Sequence, residues 1–176
     1  MFAALYLPNF ALQAALRHQP ELHQQAVALL DDEEAKATII QLTAKAEEAG
    51  VSVRMTASQG LARCLGLLIK PRARAQEKIA DEILLHHAAT LAPEIEATAP
   101  GICTVRFTSR KNCRENVERF VRQLAQLQLQ AQAGVAATPD LSFLVACLAR
   151  PVLQIEEAES FLGPLPIETL CHLPNL

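Results

Sequence analysis

The chain has 176 residues, 51% of them apolar and 20% charged, with ten prolines and six glycines; this is material for one compact domain with a small insertion, and it excludes a disordered chain, a collagen-like fibre and a coiled coil. A formal charge of −3 and an aromatic content of 4% without tryptophan argue against strong autonomous DNA binding and against a platform on which single-stranded bases stack. Five cysteines without a CxxC pair read as reduced thiols and not as a disulfide frame or a zinc site, and with no signal-like segment the chain is expected to be soluble and cytoplasmic.

Phe2–Leu7 is an apolar run that predicts a buried strand, followed at Asn9, an expected N-cap, by a helix over Ala11–Arg17 that Pro20 ends. Ala26–Leu30 and Ala37–Leu42 read as a hairpin around the solvated acidic cluster Asp31–Glu34. A short helix over Ala44–Ala49 stops at Gly50, and Thr56-Ala-Ser-Gln59 has the spacing of a capping box that opens a second helix ending near Cys64 to Gly66. Leu65–Ile69 is expected to be a brief strand. The charged segment Arg72–Lys78 then leads into a long helix with Ile79, Ile83, Leu84 and Leu91 on one side, which Pro93 stops.

Glu94–Ala97 and Ile102–Phe107 predict an antiparallel pair around Ala99-Pro100-Gly101. Val117, Phe120, Val121, Leu124 and Leu127 give the stripe of an amphipathic helix, with Glu115 and Arg119 as an exposed i, i+4 pair. Leu129–Val135 reads as a strand. Thr138-Pro139 opens a helix over Asp140–Ala149, and a last helix over Glu156–Phe161 ends at Gly163-Pro164. This order, with an insertion over Pro20–Pro71, predicts an α+β fold in which two split β-α-β units build a ferredoxin-like antiparallel sheet with helices on one face.

The punctuation carries a further pattern. Gly134-Val-Ala-Ala-Thr138 leading to Leu148-Ala-Arg150-Pro151, Phe161-Leu-Gly-Pro-Leu165-Pro166-Ile167, and Ala46-Glu-Glu-Ala-Gly50-Val51 leading to Met55 resemble the palm, the connection to the thumb, and the fingers of Y-family DNA polymerases. Leu5-Tyr-Leu-Pro8-Asn-Phe10 and Ala26-Val27-Ala28-Leu29 are most similar to the ImuB-type branch, polymerase-like accessory proteins of mutagenesis cassettes. The resemblance implies a palm-like core over residues 1–19 and 72–154, a fingers-like insertion over 20–71, and the start of a connection to a thumb over 155–176, with thumb and little finger absent.

Two-metal nucleotidyl transfer needs carboxylates that hold two divalent ions about 4 Å apart. Leu5–Phe10 contains no Asp or Glu, and the positions matching the family's hairpin carboxylates are Pro100 and Gly101. The positions matching its triphosphate-binding Tyr and Arg are Ala44 and Glu47, and those matching its palm-helix lysines are Pro139 and Phe143. Arg150 alone keeps a basic character there, and it reads either as a phosphate contact or as a cation that complements a helix C-terminus. Elsewhere, Asp31–Glu34 reads as a solvated loop, and Glu94 and Glu96 share one strand face and point to solvent. His86 and His87 splay about 100° apart on one helix and cannot chelate together.

These losses point to a pseudo-polymerase without a cofactor or metal, acting as a scaffold in DNA-damage tolerance, with translesion synthesis and induced mutagenesis as its setting. By resemblance its partners are an error-prone replicative-type polymerase, a RecA-like accessory protein and the sliding clamp. Two alternatives remain. One is a weak primer-template DNA binder that uses Arg72, Arg74, Lys78, Arg106, Arg110, Lys111 and Arg114; the other is a nucleotidyltransferase with relocated metal ligands. A mean hydropathy of +0.15 favours the scaffold, since it hints at apolar area covered by another chain.

Overall fold

In the computed structural model, which describes residues 1–31 and 37–172, the apolar run Phe2–Tyr6 forms strand β1. Asn9 takes left-handed backbone at φ 49° with no side-chain cap, and helix α1 covers Phe10–Leu16. The expected N-cap is thus a turn residue, a place asparagine fills because it tolerates positive φ. A 3₁₀ segment over Pro20–Gln24 precedes β2 (Val27–Leu30) and β3 (Ile39–Leu42), which pair as the expected hairpin. Helix α2 (Ala44–Glu48) ends at Gly50, whose φ is 83°. Helix α3 (Ala57–Arg63) opens with the capping box in full: Gln59 N donates to Thr56 Oγ1 at 3.3 Å and Thr56 N to Gln59 Oε1 at 2.9 Å.

Strand β4 occupies Leu68–Pro71, later than the sequence suggests. Leu67 N first closes a turn onto Cys64 O at 3.0 Å, which leaves Leu65 95% exposed. Helix α4 covers Arg74–Ala88. Its buried stripe is Ala80, Leu84 and Ala88, while Ile79 is exposed, so alanines and not the predicted isoleucine make the close contact. Strands β5 (Glu94–Ala99) and β6 (Ile102–Arg106) pair around Pro100-Gly101 as expected.

Helix α5 (Cys113–Gln126) buries Val117, Phe120, Val121 and Leu124. Its exposed ion pair is Arg114 with Glu118, at 2.8 Å, in place of the expected Glu115 with Arg119. Gln128 at φ 62° and a bond from Leu129 N to Leu124 O close the helix, so β7 starts only at Gln132 and runs to Ala136. Helix α6 (Pro139–Leu148) has Thr138 as its cap. Strand β8 (Val152–Gln154) is too short to show a period in sequence and was not expected. Helix α7 (Ala158–Leu162) and a 3₁₀ segment over Ile167–His172 complete the described chain.

These elements form two units, Met1–Pro8 with Ala80–Leu176, and Asn9–Ile79. Helix α1 therefore belongs to the second unit, whereas the sequence groups residues 1–19 with the core. In the second unit the sheet order is β3-β2-β4. Strand alternation sends Val27 and Leu29 to one face, against Leu12 and Leu16 of α1, and Ala28 to the other, against Ala46, Val51 and Leu67.

The sheet of the first unit has the order β5-β6-β1-β7-β8. Its first four strands are antiparallel neighbours in the interleaved arrangement of a ferredoxin-like fold, and β8 adds parallel to β7. Leu5, Val105 and Val135 are fully buried on one face, which α4 and α5 close. The opposite face carries Phe2, Ala4, Tyr6 and Gly134, and α6 lies on it. Helices thus cover both faces and not one. The apolar composition of α6 explains this placement, because a helix apolar on most sides needs burial.

Burial pushes the thiols of Cys103 and Cys147 up to about 11 from 9.0, with Asp81 adding to the effect at Cys103. A pKa raised by folding stabilises the fold fully below the unfolded value, and that contribution is lost as pH rises through 9 towards 11. We expect both thiols to resist iodoacetamide at pH 8 in the native chain and the unfolding midpoint to fall above pH 9. Ready alkylation of either thiol at pH 8 without unfolding would contradict the burial.

Candidate functional site

The ends of β1 and of the β5–β6 hairpin meet at one end of the first unit's sheet. Leu7 N donates to Gly101 O at 2.9 Å, so three positions, Leu7, Pro100 and Gly101, come together there. Pro100 and Gly101 make a two-residue turn in which proline precedes a residue at φ 76°, the geometry that proline at the second and glycine at the third turn position supply. The turn is held from α4, where Asp81 Oδ1 accepts from Gly101 N at 2.9 Å. An alkyl group, a pyrrolidine ring and a hydrogen offer no ligand to a divalent ion, which takes oxygen donors. These three positions supply no side-chain ligand for a metal pair, and the carboxylate beside them, Asp81, accepts from the backbone of the turn. Among the described residues no group of three His, Cys, Asp or Glu could hold a metal.

Sequence reading identified Pro100 and Gly101 but neither Leu7 individually nor Asp81. Leu7 could have been found from its place at the end of the strand. Asp81 lies 20 residues from its partner and carries no local signal.

Helix α6 begins at the opposite end of the sheet, where Pro139 shares a cleft with Phe2, and runs back towards this end, so that Phe143 reaches Tyr6. Leu141 N donates to Thr138 Oγ1 at 3.3 Å and Pro139 occupies the first turn. Phe143 packs edge-on against Tyr6 with ring centroids 6.0 Å apart. Burial, and secondarily Cys147, raises the Tyr6 pKa. Phe143 is therefore part of the packing of the sheet face. Arg150 Nη1 donates to Ala149 O at 2.7 Å. With the Gln132 amide oriented to satisfy both neighbours, Gln132 accepts from Arg150 Nη1 at 3.0 Å and donates to Ala146 O at 3.3 Å. The cation is engaged at the C-terminal end of α6, the helix-complementing reading of that residue.

In the second unit Ala44 and Glu47 lie on α2. Glu47 faces a cleft of about 220 Å³, shared with Gln41 and Val51. Three of the seven cations of the basic rim expected from sequence, Arg72, Arg106 and Arg114, stand in ion pairs. Arg72 Nε and Nη2 donate to Glu77 at 2.7 and 2.8 Å, and its Nη1 lies 3.6 Å from Asp31; these pairs raise its already high pKa. Arg106 pairs with Glu94 at 3.1 Å and Arg114 with Glu118. Arg110 and Lys111 stay exposed before α5, and Arg110 lines a cleft of about 460 Å³ that also holds Glu115 and Glu156. Arg74 and Lys78 are exposed on α4.

The relocated-ligand candidates do not assemble either. Glu94 is committed to Arg106, and Glu96 lies beside Thr104 across the ladder. Asp31 is held by Arg72, and Asp32, Glu33 and Glu34 lie outside the described residues. His87 Nδ1 is 2.9 Å from Ile83 O, with its ring edge-on to His86.

A family model described as the impB/mucB/samB family matches residues 5–146. Among solved structures the chain is similar to the crystal structure of DinB from Sulfolobus solfataricus, at 16% identity and a TM-score of 0.85, over 100% of this chain and 54% of that one. It is similar to an insertion ternary complex of Dbh DNA polymerase, at 15% identity and a TM-score of 0.85, over 99% of this chain and 55% of that one. A Y-family DNA polymerase chimera of Dbh and Dpo4 gives 16% identity and a TM-score of 0.84, over 100% and 54%. At these identities the likeness is one of fold, and the chain spans little more than half of each polymerase. No curated protein sequence matches the chain. No helix among the described residues is long and apolar enough to cross a membrane.

Proposed function

Since this chain belongs to the impB/mucB/samB family, we propose that it is a Y-family-polymerase-like palm and fingers module of DNA-damage tolerance that acts as a non-catalytic scaffold. The palm is the first unit and the fingers the second, with residues from about 155 leading towards a thumb. The observation that carries this reading is the convergence of Leu7, Pro100 and Gly101, tied by the bond from Leu7 N to Gly101 O at 2.9 Å, where nucleotidyl transfer requires carboxylates. Glu47, Phe143 and Pro139 support it, because none of them attracts a triphosphate and Glu47 repels one. The partners proposed for the scaffold are an error-prone replicative-type polymerase, a RecA-like accessory protein and the sliding clamp. Its relation to the ImuB-type branch rests on the N-terminal Leu-Pro pattern.

Isothermal titration of the chain with a dNTP, first with Mg²⁺ and then with Mn²⁺, tests the reading. We expect no heat at millimolar nucleotide. Saturable, metal-dependent binding at micromolar affinity would overturn the non-catalytic assignment and direct attention to Glu94 and Glu96.

A further inference from the structure

Strand β5 is an edge of the first unit's sheet, and its outer side is open. Residues 94–98 are all exposed, and among the described residues the strand pairs with β6 alone. Which backbone groups face outward follows from the ladder. Leu7 N donates to Gly101 O and Phe107 N to Met1 O, both at 2.9 Å. The odd residues of β6 therefore bond to β1 and the even ones to β5, because bonding direction alternates along an antiparallel strand. Glu94 and Glu96, opposite Arg106 and Thr104, thus bond to β6. Ile95 and Ala97 direct their N–H and C=O groups away from the sheet, where no described residue pairs with them. Glu94, Glu96 and Thr98 stand with Thr104 and Arg106 on one face, beside a cleft of about 430 Å³ that Phe2 and Pro139 also line. Glu94 is paired with Arg106, whereas Glu96 has no ion pair among the described residues.

Unpaired N–H and C=O groups along a strand edge are complemented by one chemistry, the backbone of another extended segment. A second copy of this chain fits poorly. In each antiparallel register that sets Ile95 of one copy opposite Ile95 or Ala97 of the other, a glutamate faces a glutamate, and like charges so placed destabilise. Cationic residues at those facing positions turn the repulsion into attraction. We propose that β5 takes a short extended segment of a partner protein, added antiparallel, with its backbone bonded to Ile95 and Ala97 and with lysine or arginine at alternate positions facing Glu94 and Glu96. The segment is short because Pro93 and the bulge between Ala97 and Ala99 end the open stretch. The inference rests on the scaffold reading for the source of the strand, and it gives that reading a mode of contact.

The probe is the acetylated and amidated hexapeptide Thr-Lys-Val-Lys-Val-Thr, titrated into the ¹⁵N-labelled chain and followed by amide exchange and chemical shift. In the free chain the Ile95 and Ala97 amides should exchange faster than those of Glu94 and Glu96. Saturating peptide should slow both in proportion to its concentration over its dissociation constant. N-methylation at the two valines, whose N–H groups face the edge in the antiparallel register, should abolish binding; N-methylation at the lysines should not. The peptide with glutamate in place of lysine should bind about fivefold more weakly. Glu96→Lys, which leaves the outward backbone groups in place, should reverse that preference, and its otherwise unchanged spectrum would show that the fold is intact. Equal exchange at residues 94–97 in the free chain, shifts that do not saturate, or binding that survives N-methylation at the valines would overturn the proposal. So would protection of Ile95 and Ala97 that grows with chain concentration without peptide, which would assign the edge to a second copy. Failure of the peptide leaves the dNTP result untouched, whereas saturable dNTP binding with peptide binding intact would remove the scaffold reading and leave the strand site.

Discussion

Gly134→Ala is expected to destabilise the chain by about 3 kcal/mol or more, the upper end of what overpacking a close-packed site costs. The glycine sits in the middle of β7, opposite Ala4 of β1, on the face that α6 covers. A Cβ built there would lie 2.2 Å from Ala146 N and from Ser142 O, and 2.7 Å from Val145 C. All three are backbone atoms of α6, so no side chain can rotate away; the helix itself must lift from the sheet. That lift would also separate Phe143 from Tyr6 and expose Ala4. For a chain of this size the loss corresponds to a fall of about 6–12 °C in Tm, measurable by thermal and urea unfolding. Gly66→Ala is the control, because a Cβ at Gly66 meets nothing within 4 Å and its φ lies outside the left-handed range. Equal Tm values for the two variants would show that α6 does not approach β7 this closely.

Phe120→Ala should cost about 3–5 kcal/mol, from lost burial together with the cavity left behind. Phe120 is the largest of the side chains with less than 2% exposure. It lies at the centre of the α5 stripe between Val117 and Leu124, both fully buried, beneath the sheet face that Leu5 and Val105 fill. Neighbours on both sides are fixed by helix and strand, so the space cannot collapse fully and the cavity contribution persists. The urea midpoint should fall without a change in the slope of unfolding free energy against urea, the mark of lost stability in an otherwise two-state transition. Phe120→Leu should recover most of the loss. A Phe120→Ala midpoint within experimental error of the parent chain would mean that α5 does not pack on this sheet.

The sequence by itself determined the hairpins and most helix limits, because those signals are local. The Thr56–Gln59 capping box, the Gly50 stop, the Thr138-Pro139 opening and the Pro100-Gly101 turn each depend on residues within one turn of chain. It also determined that Pro100 and Gly101 carry no side-chain carboxylate, which is visible wherever those residues lie. What it did not determine are the pairings that depend on distant partners. Strand β8 is three residues long and exists because β7 offers it a parallel edge. Ile79 faces solvent because helix α4 is rotated to bury Ala80 and Leu84. Asp81 holds the Gly101 turn, and Leu7 reaches Gly101, across separations that no periodicity encodes. Of the seven cations that read as a basic rim in one dimension, Arg72, Arg106 and Arg114 have the carboxylates of Glu77, Glu94 and Glu118 set beside them by a loop-helix junction, a strand ladder and a helical turn, while Arg74, Lys78, Arg110 and Lys111 stay exposed. Charge in a sequence can be counted, but its availability depends on which opposite charge folding brings within about 4 Å, and only the tertiary structure decides that.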